Sequence, residues 1–215
     1  MKRTSILMAD DHSLVLEGFR RLLETNFDVV GVAENGRALV AAAKKLVPDL
    51  ILLDISMPLL NGIDAARQLK SILPKVKIIF LTMHADPTYA SEAFRAGGDA
   101  YVLKRSAVSE LELAIREVMK GRSYVTPLVT KGILDPSDEP NQNPISKLMF
   151  HGLTSRQREV LQLVAEGHST KAIADLLSVS VKTIEFHKSG IMERLGMRTT
   201  AELTRYAITH GIVSD

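Results

Sequence analysis

The sequence predicts two folded units: a five-stranded, doubly wound parallel α/β domain, and after it an all-α domain of four helices. Three observations predict this. Short runs rich in Val, Ile and Leu recur through the first half, with stretches of helical period between them. A segment of prolines, acids and amides without one apolar residue, DPSDEPNQNP, interrupts the chain at residues 135–144. Beyond it, helix-capping signals follow one another and no strand-like run remains.

The expected strands are residues 5–9, 29–33, 50–53, 77–81 and 100–103. They show little alternation, as strands covered on both faces do. Apolar stripes at helical spacing lie between them: Leu14, Phe19, Leu22 and Leu23, then Ala65, Leu69, Ile72 and Leu73, then Leu111, Ile115, Val118 and Met119. Gly121 closes the last of these helices, and the pattern dissolves from Tyr124 to about Gly152. In the second half, Thr154 to Gln157 reads as a capping box for a helix to about Glu166. Ser169 caps a helix ending near Leu177, and Ser180 caps one running to Leu195. A second capping box, Thr199 to Glu202, opens a fourth helix that ends near Gly211.

The 215 residues suit one large domain or two modest ones, and a 46% apolar share supports a core. With no cysteine, disulfides, thiolate metal sites and cysteine nucleophiles are excluded. A net charge of +2 does not by itself point to nucleic acid. The apolar run after Met1-Lys2-Arg3 is cut at Asp10, and no stretch approaches the roughly 18 apolar residues of a membrane span. A cytoplasmic protein without membrane contact is expected.

In an open parallel sheet, functional groups collect at the carboxyl ends of the strands. Here the first strand ends in Asp10-Asp11, the third in Asp54, the fourth in Thr82, and Lys104 follows the fifth. In strand order 2-1-3-4-5, three carboxylates face one pocket, flanked by a hydroxyl and an ammonium. Such a cluster calls for a hard divalent cation with oxygen ligands, and magnesium fits best. An aspartate can also act as nucleophile toward a phosphoryl group, with the metal and Lys104 neutralising the transferring charge.

Residues 4–121 resemble a response-regulator receiver domain, a flavodoxin-like fold. Asp10-Asp11, Asp54 followed by Met57-Pro58 and Gly62, Thr82, Tyr101 and Lys104 carry the resemblance. It implies that Asp54 accepts phosphate from a sensor histidine kinase. It further implies that Asp11, Asp54 and the Ser56 carbonyl bind Mg2+ directly, that Asp10 acts through water, and that Thr82 and Tyr101 form a switch pair. Arg105 departs from the proline that many receivers carry after the lysine. His12, beside the acids, reads as a loop residue rather than a ligand.

Residues 169–195 have the helix-turn-helix layout. On the second of these helices Ile184, His187, Ile191 and Leu195 share one face, while Lys182, Phe186, Ser189 and Glu193 lie opposite, with Glu185 at the edge. An outward Phe suits contact with a thymine methyl. Residues 153–210 resemble the LuxR-type DNA-binding domain, so that nearly the whole chain is similar to a NarL/FixJ-type response regulator. By position, the resemblance implies base contacts from Glu185, Phe186 and Ser189 and phosphate contacts from Lys182, Thr183 and Lys188. Gly190 departs from the family's polar or basic side chain. From His151 onward, eight Lys and Arg face seven Asp and Glu, a weak balance for a DNA binder. Dimerisation is therefore expected to supply part of the affinity, and by resemblance the fourth helix is the candidate contact.

The expected organisation is a receiver at 1–123, a linker at 124–150 and a DNA-binding domain at 151–215. The expected function is a regulator whose phosphorylation at Asp54 controls binding to a double-stranded DNA operator, with a homodimer forming on phosphorylation. It is not expected to be an enzyme beyond self-dephosphorylation. An aspartate-nucleophile phosphatase and a scaffold whose helical domain binds protein stay open on the residues alone.

Overall fold

The computed structural model describes residues 3–134 and 152–213. The chain forms two compact units. In the first, strands β1 (Ser5–Ala9), β2 (Asp28–Ala33), β3 (Leu50–Leu53), β4 (Lys77–Thr82), β5 (Ala100–Leu103) and β6 (Tyr124–Val125) make one parallel sheet in the order β2-β1-β3-β4-β5-β6. Helices α1 (Ser13–Leu23), α2 (Gly36–Leu46), α3 (Gly62–Ile72), α4 (Pro87–Arg95) and α5 (Ala107–Met119) connect successive strands, and α6 (Pro127–Leu134) follows β6.

β1, β3, β4 and β5 lack alternation because both faces are buried. Ile6, Met8, Leu50, Leu52, Ile79, Leu81 and Val102 pack with Leu16, Leu23, Leu111, Ile115 and Val118 of α1 and α5. By the two-residue period, Leu7, Ile51, Phe80 and Tyr101 point to the other face, and they too are buried. Asn35, Asn61 and Asp86 cap α2, α3 and α4 through their side chains.

Three differences from the sequence reading have physical reasons. The sheet has six strands rather than five, because Tyr124-Val125 pairs with β5. Two residues are too short to show a period. The first part of the expected linker is thus ordered as β6 and α6, and the DPSDEPNQNP segment lies outside the described residues. Leu14 is 87% exposed, because it stands about half a turn away from Leu16 and Leu23, the buried face of α1. Ile72 and Met119, the distal members of the other stripes, are also exposed at their helix ends.

Among the described residues, the second unit has four helices: α7 (Ser155–Ala165), α8 (Thr170–Leu177), α9 (Val181–Leu195) and α10 (Thr200–Thr209). Its caps are those the sequence shows, with full capping boxes at Thr154/Gln157 and Thr199/Glu202 and side-chain caps from Ser169 and Ser180. Val160, Leu161, Leu163, Ile173, Ile184, Ile191, Leu203 and Ala207 form its core.

At the opening of β5, Asp99 ties three chain segments together. Its carboxylate accepts from Lys77 Nζ at 2.8 Å, Ile78 N at 3.0 Å and Lys70 Nζ at 3.1 Å. Burial pushes its pKa up, but these donors outweigh burial and hold it below the ordinary value. A depressed carboxylate contributes stability above its unfolded pKa and loses it as pH falls through the folded one. Asp99→Asn is expected to cost about 1–2 kcal/mol at neutral pH. The gap to wild type should close below about pH 4. Urea unfolding of both proteins across that range measures it, and a pH-independent gap would assign the loss to packing instead.

Candidate functional site

Strand register brings the acids together. Asp54 N donates to Ala9 O at 2.9 Å, so the end of β3 is laced to the end of β1 just before Asp10. Ala9 pairs with Leu53, and Thr82 pairs with Leu103, the residue before Lys104. The carboxylates of Asp10 and Asp54 are buried, each with a relative exposure of 4%. Lys104 Nζ spans them, 2.7 Å from Asp10 Oδ2 and 2.8 Å from Asp54 Oδ2. Asp54 Oδ1 accepts from Ile55 N at 2.7 Å, and Asp10 Oδ1 from His12 N at 3.0 Å.

The electrostatics follow from this geometry. Burial pushes the Asp54 carboxyl above its ordinary pKa; Lys104 opposes the shift and Asp10 adds to it. Burial alone would lower Lys104, but the Asp54 and Asp10 carboxylates win and hold it above the ordinary lysine value. The ammonium therefore stays charged at neutral pH. Lys104 opens a 3-10 turn, Lys104–Ser106, and with Arg105 where many receiver domains carry proline it still reaches both acids.

Asp11 is exposed, and its Oδ1 lies 2.8 Å from His12 Nδ1, which is 3.3 Å from Asp10 Oδ1. Among the described residues, Asp10, Asp11 and His12 offer ligand atoms all within 4.8 Å of one another. Asp54 stands outside that group and connects to Asp10 through Lys104. The donor set of buried and half-solvated carboxylates fits a hard divalent cation.

Thr82 and Tyr101 are both fully buried. Sequence reasoning passed over the residue that joins them, His84. Its N–H donates to Thr82 Oγ1 at 3.3 Å, and its carbonyl accepts from Tyr101 Oη at 2.8 Å. The imidazole Nε2 lies 2.9 Å from Ser56 Oγ, and the ring stacks on Tyr89 at 4.2 Å. Burial, then the charge of Lys104, lowers the His84 pKa, so the ring is neutral at neutral pH. Burial also pushes the Tyr101 phenol up, leaving it a neutral donor. The one available signal was the position of His84, two residues after Thr82; no spacing marks it.

In the helical unit, α8, a turn through Ser178 in the left-handed region (φ 52°), and α9 give the helix-turn-helix geometry. Ile184 and Ile191 are buried, with His187 and Leu195 half-buried. Lys182, Glu185, Phe186 and Ser189 are exposed, Phe186 to 76%. Thr183 and Lys188 are half-buried. Thr183 Oγ1 is engaged with the cap residue, 2.8 Å from Ser180 Oγ. A Cβ at Gly190 would meet Gln157 Nε2 at 3.3 Å, so this glycine faces α7 and permits the close approach.

Comparison with known proteins is consistent across both units. Residues 6–116 match the family model of the response regulator receiver domain, and residues 151–207 match that of the bacterial regulatory proteins of the luxR family. The transcriptional regulatory protein MctR of Rhizobium johnstonii is 35% identical over 97% of this chain and 95% of its own. The oxygen regulatory protein NreC of Staphylococcus aureus is 36% identical over 94% of this chain and 96% of its own. Among solved structures, RcsB of Salmonella enterica serovar Typhimurium, bound to a promoter in the presence of the phosphomimetic BeF3-, is similar with a TM-score of 0.59. It is 30% identical, covering 95% of this chain and 98% of that one.

The segment behind Asp54 admits no side chain at residue 62. Gly62 N donates to Ile55 O at 2.8 Å, and an added Cβ would lie 1.9 Å from the Asp54 carbonyl oxygen. That contact is backbone and cannot swing aside. Gly62→Ala is expected to cost about 1–3 kcal/mol and to shift the Asp54 loop. Thermal unfolding and the amide resonance of Ile55 report the two effects; an unmoved Ile55 resonance would show that the loop absorbs the methyl elsewhere.

Proposed function

Since the chain belongs to the response regulators that join a receiver domain to a LuxR-family DNA-binding domain, we propose that Asp54 is its phosphoacceptor and that phosphorylation there controls sequence-specific DNA binding. The observation that carries the proposal is the Lys104 ammonium held between the buried Asp10 and Asp54 carboxylates. The family is one of transcription regulators, not enzymes. The phosphodonor is the phosphohistidine of a sensor kinase, and small acyl phosphates are substitutes for it.

Each residue has a role in this reading. An Asp54 carboxylate oxygen attacks phosphorus as the bond to the donor breaks. Lys104, already aimed at Asp54 Oδ2, pairs with an oxygen of the transferring group. Thr82 offers its hydroxyl to a second oxygen and thereby changes its contact with the His84 amide. That moves the segment to which Tyr101 is bonded, and so Thr82 and Tyr101 act as a switch pair. Asp11 and Asp54, with the Ser56 carbonyl, would hold Mg2+ directly and Asp10 through water, and the metal would supply charge neutralisation for the phosphoryl group.

In the helical unit, α9 enters the major groove. Glu185, Phe186 and Ser189 meet base edges; Lys182, Thr183 and Lys188 meet phosphates. The operator is double-stranded DNA with two half-sites, read by a homodimer that forms on phosphorylation, with α10 as its contact. Among the described residues, no helix is long and apolar enough to cross a membrane. The proposed location is the cytoplasm.

With Mg2+ and acetyl phosphate, the intact protein is expected to gain one phosphoryl group, mapped to Asp54 and absent in Asp54→Asn. Asp11→Asn should retain the fold but lose Mg2+ affinity in a calorimetric titration. A phosphoryl group mapped elsewhere, with Asp54 untouched, would sink the assignment.

A carboxylate facing DNA is repelled by phosphates unless it accepts from a cytosine amino group. Glu185→Ala is therefore expected to lose about 1–3 kcal/mol of discrimination at one base position per half-site while nonspecific affinity rises. Lys182→Ala should weaken all sequences alike and flatten the salt dependence. Selection of bound sites from random DNA separates the two; an unaltered base preference in Glu185→Ala would rule out direct readout by Glu185.

A further inference from the structure

Strand β6 lies on the sheet edge beside β5, the strand that carries Tyr101 and ends one residue before Lys104. Its pairing continues past its end: Thr126 N donates to Tyr101 O at 3.0 Å. The Thr126 side chain is fully buried and works in both directions. Its Oγ1 accepts from Leu103 N at 3.1 Å and donates to Glu110 Oε2 at 2.7 Å. The same Glu110 oxygen takes the Tyr124 hydroxyl at 3.1 Å. Just beyond, Val129 is buried and α6 packs against α4. The chain that leads onward to the second unit is therefore bonded to both residues that flank the switch end of β5.

Buried bonds of this kind have no solvent substitute. Leu103 is 1% exposed, so its N–H goes unsatisfied if Thr126 withdraws. A hydroxyl that accepts and donates at once polarises both bonds. The next residue, Lys104, is fixed at its other end by Asp10 and Asp54.

We propose that Thr126 and Glu110 are positioning residues for the phosphoacceptor site, clasping the end of β5 in the resting arrangement and tying the start of the interdomain segment to it. The proposal rests on the reading of Asp54 as phosphoacceptor. The clasp coexists with Lys104 bridging two carboxylates. A phosphoryl group on Asp54 replaces one of those partners, draws Lys104 to new oxygens, and so pulls on Leu103. Coupling of this kind is reciprocal: what phosphorylation does to the clasp, loss of the clasp does to phosphorylation.

The test uses the full chain, beryllofluoride with Mg2+ as phosphoryl analogue, and Thr126→Val, which keeps shape and removes the hydroxyl. In wild type, beryllofluoride should speed amide exchange at Leu103 and Thr126. In Thr126→Val, exchange there should be fast with or without it, and beryllofluoride should bind about fivefold or more tightly. The ratio of operator affinities with and without the analogue should narrow. Thr126→Ser, which restores the hydroxyl, should return all three readouts toward wild type, a rescue that a packing effect would not give. Should Thr126→Val fold poorly, Tyr124→Phe removes one of the two bonds to Glu110 at the surface and should shift the same readouts in the same direction, by less. Wild type that binds beryllofluoride while Thr126→Val binds it equally overturns the clasp alone. Wild type that does not bind beryllofluoride overturns the functional reading as well.

Discussion

The first unit depends on one buried cation. Asp10 and Asp54 are brought into one pocket by the pairing of β1 with β3, and neither carboxylate can reach bulk water to shed its charge. Two such groups repel, and burial sharpens the repulsion. Lys104, with a side chain only 10% exposed, makes the arrangement tenable by pairing with both. The remaining carboxylate oxygens are met by the N–H groups of Ile55 and His12, which is the condition under which buried ions persist. The balance is still incomplete. Two buried aspartates share one ammonium, with the exposed Asp11 beside them, so the pocket retains a deficit of positive charge where a divalent cation is chemically suited.

The sheet delivers this cluster because the register of its strands is fixed by hydrophobic burial on both faces. A slip of one residue would turn Ile6 and Met8, or Leu50 and Leu52, out of the layer against α1 and α5. The same register places Thr82 opposite Leu103, the residue before Lys104. Packing and chemistry are thus set by one constraint. Gly62 extends it, since its amide holds Ile55 O and its missing Cβ leaves room for the Asp54 carbonyl.

What was legible in the sequence follows from range. Strand ends, caps and capping boxes are local signals, and Asp10, Asp54, Thr82 and Lys104 come together because the order of a doubly wound sheet is short to enumerate. The four caps of the helical unit could be read residue by residue, because each is a side chain bonded to an amide a few positions away. What escaped is non-local. β6 is two residues long and exists through Thr126, Glu110 and the edge of β5, none of which carries a pattern. His84 joins Thr82, Tyr101 and Ser56, contacts that only the folded chain defines. Leu14 was assigned to the wrong side of α1 because a stripe of leucines can be drawn through either of two overlapping faces.

The helical unit poses the opposite electrostatic problem. Eight basic residues against seven acids give little long-range attraction to a polyanion. Specific contacts from one helix then carry too little free energy to hold a site among many competitors. Joining two copies turns the second binding step into an intramolecular one and raises the effective concentration at the second half-site, without any new contact. A control that acts on pairing, rather than on the contacts of a single copy, therefore has the larger leverage. In the function proposed above, this is the lever on which phosphorylation of the receiver would act, with β6 bonded to β5 at the start of the segment that leads onward.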